Sequence, residues 1–341
     1  MTTRYRITAG AAVVMAGALV LTGCNRGSGG SEATPVGFSA GFLDSPFNSG
    51  LVKAVESQAN AEGSGLSMLP ATDAQSDPGK QITDVNTLLS QGIQGLVMFP
   101  TDSNAIVPAI EAANAKNVPV VTVDIAGNGG DIYMNIRADN VGMGRDACRQ
   151  IGELTNQSGR VLEIHGDLGT SSGFDRNKGF NDCMAAEFPG IEVVSRDAKW
   201  KTDQAVDVAQ TSLSTQKFDA VFLASDSVFY NGVKNVMADM GQLQPVGSPG
   251  HIALVTIDGS GEALQGVRDG VVDAVVSQPV DLYGQYAVMY LKDALAGKEY
   301  QVGPSDHDSE IVEYEGNLAD MLPAPVVTKD NVDDSALWGN Q

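Results

Sequence analysis

The chain has 341 residues and sets 42 acidic side chains against 21 basic ones, a formal net charge of -21. That length leaves room for two domains, each with its own core. The acidity argues against nucleic acid and anionic lipid surfaces as partners, because both select cationic footprints.

The first element is a leader. Arg4 and Arg6 precede an apolar run from Ala9 to Leu21, which closes on Leu21-Thr22-Gly23-Cys24. The run is too short to span a bilayer comfortably, and small residues sit just before the cysteine, as in a bacterial lipoprotein signal. Residues 1–23 are expected to be removed and Cys24 to carry lipid. Two or more acyl chains, at about 0.8 kcal/mol per buried CH2, make a stable anchor. The remainder is then extracytoplasmic, held on the outer face of the cell membrane through lipid alone. Residues 24–34, rich in Gly and Ser (Arg26-Gly27-Ser28-Gly29-Gly30-Ser31), read as a flexible tether.

From Val36 onward, strand-like and helix-like patterns alternate. Strands are expected at Leu66–Leu69, Gly95–Phe99, Val118–Val123 and Ile132–Ile136, with helices at Ser49–Ala61, Pro78–Ser90 and Asn104–Lys116 between the runs. A second series follows: helix Val141–Thr155, strand Arg160–Ile164, helix Phe174–Glu187, strand Glu192–Ser195, helix Asp203–Leu213 and strand Ala220–Leu223. It continues with strand Ile252–Ile257, helix Glu262–Val267, strand Ala274–Val276 and helix Leu282–Leu295. Apolar runs alternating with periodic helices mark βαβ units, whose parallel sheets are covered on both faces. Two such series predict two similar α/β lobes.

Three cysteines are present. With Cys24 assigned to lipid, Cys148 and Cys183 remain, in helical patterns that follow one another; outside the cytoplasm a disulfide between them is plausible, with two buried thiols as the alternative. The three histidines fall in no HxxxH spacing, so no metal and no cofactor is expected. Asp306-His307-Asp308 reads as a solvated loop.

Several strands run into an acid or amide: Val123 into Asp124, Ala224 into Ser225-Asp226, Ile257 into Asp258, and Ser277 into Gln278. In open α/β sheets, ligands bind outside the carboxyl ends of the strands. One such acid alone is as readily a helix cap; four strand ends together favour a polar site. Ionised carboxylates only accept hydrogen bonds and arginine only donates. Acids joined by Arg176 therefore match hydroxyls, which do both. Phe47 and Trp200 offer flat apolar faces for the C–H side of a sugar-like ligand, core packing being the other reading of each. No strand is followed by a GxSxG elbow, so no nucleophile set stands out.

These residues resemble the type I periplasmic sugar-binding proteins of ABC importers, the ribose, galactose and xylose group. The motifs that carry the likeness are Leu43-Asp44-Ser45-Pro46-Phe47, Gln91-Gly92-Ile93-Gln94-Gly95-Leu96, Pro100-Thr101-Asp102-Ser103, Val118-Pro119-Val120-Val121 with Asp124, Ala138-Asp139-Asn140, and Gly169-Thr170-Ser171 with Arg176 and Gly179-Phe180. The resemblance implies an α/β fold of two Rossmann-like lobes with parallel sheets, joined by a three-segment hinge. The crossings are expected near Asn135–Asp139, near Gln278 and after about Pro304. The first lobe then comprises residues 35–137 and 279–304, and the second residues 138–278 and 305–341.

The resemblance also implies a ligand set of Phe47, Asn48, Asp124, Arg176, Trp200, Ser225, Asp226, Asp258 and Gln278. It implies capture of a neutral sugar or polyol by hinge closure, and docking of a monomeric receptor on an ABC permease with its ATPase. The chain departs from the ribose binders at three points: Ile125 where an arginine often follows the acid, Asn48 where a second aromatic often stands, and Ser225 where an asparagine often precedes the acid. These changes remove a charged fork and one stacking face, and shift the expectation toward another pentose, a hexose or a linear polyol. Other uses remain open: a receptor feeding a chemotaxis or quorum-signalling partner, or an exported hydrolase. A transcription regulator on the same lobes would need a basic DNA-reading head, and a secretion signal stands in its place.

Overall fold

The computed structural model describes residues 33–341; the leader and Cys24 lie outside the described residues. The first lobe is built from β1 (Thr34–Ala40), α1 (Pro46–Ala59), β2 (Leu66–Met68), β3 (Thr72–Asp73), α2 (Pro78–Ser90), β4 (Gly95–Phe99), α3 (Val107–Asn114), β5 (Val120–Val123) and β6 (Met134–Ala138). The chain then enters the second lobe with α4 (Asn140–Leu154), β7 (Gly159–His165), α5 (Ser171–Glu187), β8 (Ile191–Asp197), α6 (Thr202–Thr215) and β9 (Ala220–Leu223). That lobe continues with α7 (Asp226–Asp239), β10 (Ala253–Asp258), α8 (Gly261–Arg268) and β11 (Ala274–Ser277). The chain returns to the first lobe for α9 (Val280–Leu295), β12 (Gly303–Pro304), β13 (Glu310–Tyr314) and β14 (Asn317–Leu322), and ends with β15 (Val326–Val327) and a short 3-10 turn, Trp338–Asn340.

Two sheets result. The first has the order β12-β13-β14-β6-β5-β4-β1-β2, with β3 also paired to β1; the second has the order β15-β11-β10-β9-β7-β8. β4, β5, β9 and β11 are buried along their whole length, as expected of parallel strands covered by helices on both faces. Helix starts are set by local chemistry. Ser45 accepts from Asn48 N with Pro46 in the first turn of α1, so this helix begins three residues before the expected Ser49 and carries Phe47 and Asn48 in its first turn.

α4 and α5 pack very closely. A Cβ on Gly144 would lie 2.2 Å from the Arg176 carbonyl oxygen, and one on Gly179 would lie 2.1 Å from the Val141 carbonyl oxygen; only glycine permits this approach. A disulfide joins Cys148 on α4 to Cys183 on α5.

Two features differ from the expected organisation. β12, β13 and β14 continue the first sheet, β14 pairing in parallel with β6. The third crossing therefore falls at Pro323–Pro325, between β14 and β15, instead of after Pro304; β15 pairs with β11 in the second sheet. The first lobe thus claims residues 303–322. Helix α7 lies where no element was expected: Asn231-Gly232 signals a turn, but Gly232 sits within the helix, where a Cβ would meet Val206 at 2.6 Å. It is there for the approach of α6. Among the described residues no helix is long and apolar enough to cross a membrane.

Candidate functional site

The strand ends of both sheets converge on one cavity, partly open to solvent. Phe42, Phe47, Phe99 and Ile125 of the first lobe and Trp200 and Val228 of the second form its apolar walls. The polar groups are Asp44, Ser45, Asn48 and Asp124 on one side and Ser172, Arg176, Ser225, Asp258 and Gln278 on the other. Of the ligand residues expected from the sequence, only Asp226 is not among the lining groups.

Arg176, on the second turn of α5, is 2 % exposed and is fixed from several directions. Its Nε donates to Asn140 Oδ1 at 2.7 Å, and its Nη1 donates to the Ala224 carbonyl at 2.7 Å and to Asp258 Oδ1 at 3.3 Å. Nη2 faces Asp124 Oδ1 at 3.8 Å, an ion pair beyond hydrogen-bond reach.

Asp258 ends β10 at φ +125, a backbone state that side chains other than glycine's rarely adopt. Its carboxylate is fully partnered. Oδ1 accepts from Arg176 and from Gln278 Nε2 at 2.9 Å; Oδ2 accepts from Ser225 Oγ and from Ser227 N at 3.3 Å. Gln278 is in turn oriented by Tyr283, whose hydroxyl donates to Oε1 at 2.8 Å and accepts from Ala138 N at 2.9 Å. Two of the three crossings are thereby wired into the site.

Asp124 directly follows β5, at φ +60. It is buried, and its Oδ1 has no hydrogen-bond partner. Burial pushes its carboxyl up to about 6; Arg176 and Arg137 pull against that shift and Asp258 adds to it.

Trp200, at φ +57, lies over Gly166, where a Cβ would meet the indole at 2.1 Å. Its Nε1 donates to Thr170 Oγ1 at 3.0 Å, its ring is parallel to Phe229, and the Arg176 guanidinium sits 5.7 Å from its centroid. Phe47 is braced edge-on by Tyr283 and Trp338. Asn48 Nδ2 donates to Asp44 Oδ1 at 3.3 Å.

Asp226 turns away from the cavity and accepts from Thr256 Oγ1 at 3.0 Å and from Gly259 N and Ser260 N at 2.9 Å each. It shapes the turn after β10. Burial, reinforced by Asp258, pushes its carboxyl up to about 7. The Asp306-His307-Asp308 loop is also more ordered than expected. His307 lies between Asp306 and Asp320, 2.8 Å from each, and stacks on Tyr286, while Asp306 and Asp308 are exposed.

The sequence reading missed Phe42, Phe99, Ser172 and Val228, and named Asp44, Ser45 and Ile125 without assigning them to the ligand. Phe99 ends β4 and obeys the same strand-end rule, and Ser172 precedes Arg176 by one helical turn, so both carried a usable signal. Trp338, whose Nε1 donates to the Asp258 carbonyl at 2.7 Å, comes from the C-terminal tail and had none.

Two α/β lobes whose strand ends meet over a polar cavity define a solute-binding protein of the two-lobed type. The chain belongs to the periplasmic binding protein domain family, whose model it matches over residues 36–299, and it falls in the type I sugar-binding group. Among curated relatives, the ribose import binding protein of Bacillus subtilis is 31% identical over 277 residues, 80% of this chain and 86% of that one. A xylitol-binding protein of Mycolicibacterium smegmatis is 26% identical over 268 residues, covering 76% of this chain and 68% of that one. Among solved structures, an ABC transporter solute binding protein from Mycobacterium smegmatis with bound glycerol superposes with a TM-score of 0.76 at 26% identity, over 88% of this chain and 96% of that one. These relatives are binding proteins, not enzymes.

Proposed function

We propose that this chain is the extracytoplasmic, lipid-anchored receptor of an ABC importer, and that it captures a neutral sugar or sugar alcohol between its lobes. The observation that carries the reading is the 3.8 Å gap between Asp124 Oδ1, a buried acceptor without a partner, and Arg176 Nη2, a donor. A hydroxyl inserted there donates to the acid and accepts from the guanidinium, satisfying both. An anionic ligand fits poorly, because Asp44, Asp124 and Asp258 line the cavity against one guanidinium. Phe47 and Trp200 supply apolar faces for C–H groups.

Ile125, Asn48 and Ser225, at the positions where a ribose binder often carries an arginine, a second aromatic and an asparagine, favour a polyol or a sugar other than ribose. Relatives that bind xylitol or hold glycerol support that breadth. Ligand binding shifts the lobes only by its preference for the closed arrangement, and that arrangement is what a permease with its ATPase recognises. A monomer tethered through Cys24 suffices for the task. Thermal-shift screening against pentoses, hexoses and sugar alcohols tests the reading. A rise in melting temperature with one or more neutral polyhydroxylated compounds is expected; no response to any of them, or a response to organic acids alone, contradicts it.

A further inference from the structure

We propose that Ser103 and Ser171 form a latch that sets the affinity of the cleft by holding the lobes shut, without touching the ligand. Ser103 lies in the loop after β4 of the first lobe, and Ser171 is the first residue of α5 in the second. Three hydrogen bonds run between the lobes here. Ser103 N donates to the Gly169 carbonyl at 3.1 Å, Ser171 N donates to Ser103 Oγ at 2.9 Å, and Ala126 N, two residues after Asp124, donates to Ser171 Oγ at 2.8 Å. Ser103, Ala126 and Ser171 are at most 5 % exposed, and none of them lines the ligand cavity.

The position of this cluster gives it leverage. In the first sheet β4 lies two strands from β6, which feeds the first crossing; in the second sheet β7 lies three strands from β11, which feeds the second. A rotation about the crossings therefore separates the latch groups widely. An inter-lobe ion pair close to the hinge, Arg137 Nη2 to Asp175 Oδ2 at 2.6 Å, starts on β6, which feeds the first crossing, and moves less. When the lobes part, all three latch donors and their acceptors are hydrated. When the lobes close, each depends on its partner, so removing one hydroxyl leaves a buried donor unpaired in the closed arrangement only. The penalty falls on one side of the open–closed equilibrium, and affinity follows the closed population. Ser171 and Arg176 share the first turns of α5, so the latch and the ligand guanidinium move as one body.

Ser103→Ala and Ser171→Ala test this in the full chain, with xylitol as the probe, or D-ribose if xylitol gives no thermal shift. Each variant is expected to weaken binding about 5- to 50-fold. The loss should appear in the dissociation rate, with the association rate changed by less than about twofold. The ligand-free melting temperature should stay within about 1 °C of the parent, a split that a general packing defect does not produce. An unchanged dissociation rate, or a loss accompanied by a matching fall in melting temperature, overturns the latch. The kinetic arm rests on the sugar or polyol reading. If neither probe binds, that reading fails separately, and spin labels at the exposed positions Ser90 and Ser214 decide the latch. The variants must then show a smaller short-distance fraction than the parent, and identical distributions overturn the proposal.

Discussion

Asp124 and Asp258 are both buried carboxylates at the ends of parallel strands, both at positive φ, and they face one guanidinium from opposite lobes. Their surroundings differ sharply. Asp258 is held by four donors within its own lobe and crossing, whereas Asp124 Oδ1 has none. The second lobe thus presents a wall whose polar groups are already wired together, and the first lobe brings an acceptor whose need is unmet. A ligand can dock on the rigid wall first at little reorganisation cost, and the partner missing from Asp124 then makes closure over a hydroxyl favourable. Strain stored at the two aspartates, of order 1–3 kcal/mol each, is kept where it aims their side chains into the cavity.

Breaking the wired wall should have the largest effect. Arg176→Ala removes the donor shared by Asn140, Ala224 and Asp258 and takes the nearest positive charge from both buried acids, Asp258 and Asp124. Calorimetric titration should show affinity falling at least about 100-fold, and the ligand-free protein should also lose about 3 kcal/mol or more in denaturant unfolding. Next comes the disulfide that clamps α4, which carries Asn140, to α5, which carries Arg176. It closes a segment of 35 residues, so Cys148→Ser should lower the stability of the oxidised protein by about 2–4 kcal/mol, with a smaller loss of affinity.

On the other wall the pattern should invert. Asp124→Asn keeps the shape but weakens the acceptor; affinity should fall about 10-fold while ligand-free stability holds or rises at pH 8. The smallest effect is the pH dependence. Burial raises the folded-state carboxyls of Asp124 and Asp226 to about 6 and about 7 from an ordinary 3.8. Each keeps its proton in the folded protein at pH values where the unfolded chain has lost it. Their contribution to stability is therefore complete below about pH 4 and is lost as pH rises through 6 to 7. Melting of the ligand-free protein should be lower at pH 8 than at pH 5, and Asp124→Asn should flatten part of that slope. Ligand binding should run the other way and tighten above about pH 6, as Asp124 ionises into a better acceptor.

Much of this contrast was legible in the sequence because strand-end chemistry is local. Val120-Val121-Thr122-Val123-Asp124 and Leu254-Val255-Thr256-Ile257-Asp258 announce buried strands that deliver an acid. The same rule failed at Asp226, where the carboxylate is captured by backbone N–H groups of the neighbouring turn; one residue of register separates a lining group from a turn former, and only the tertiary arrangement decides which it is. The third crossing was misplaced because β13 and β14 are short and broken by acids (Glu310 and Glu313 in Glu310–Tyr314, Asp320 in Asn317–Leu322), with no continuous apolar run to announce a buried strand. Their place in the sheet comes from pairing with β6, a contact across more than 180 residues. The latch serines were visible as motif letters, but their mutual contact spans the cleft and has no signature in spacing.

The central claim is that a neutral hydroxyl bridges Asp124 and Arg176 between the lobes. A crystal structure of the protein bound to the compound that raises its melting temperature most tests it directly. The account predicts one ligand hydroxyl within hydrogen-bond distance of both Asp124 Oδ1 and Arg176 Nη2, with Phe47 and Trp200 against its C–H groups. A ligand seated elsewhere, or one that meets Arg176 through a carboxylate or phosphate and leaves Asp124 unpartnered, would contradict it.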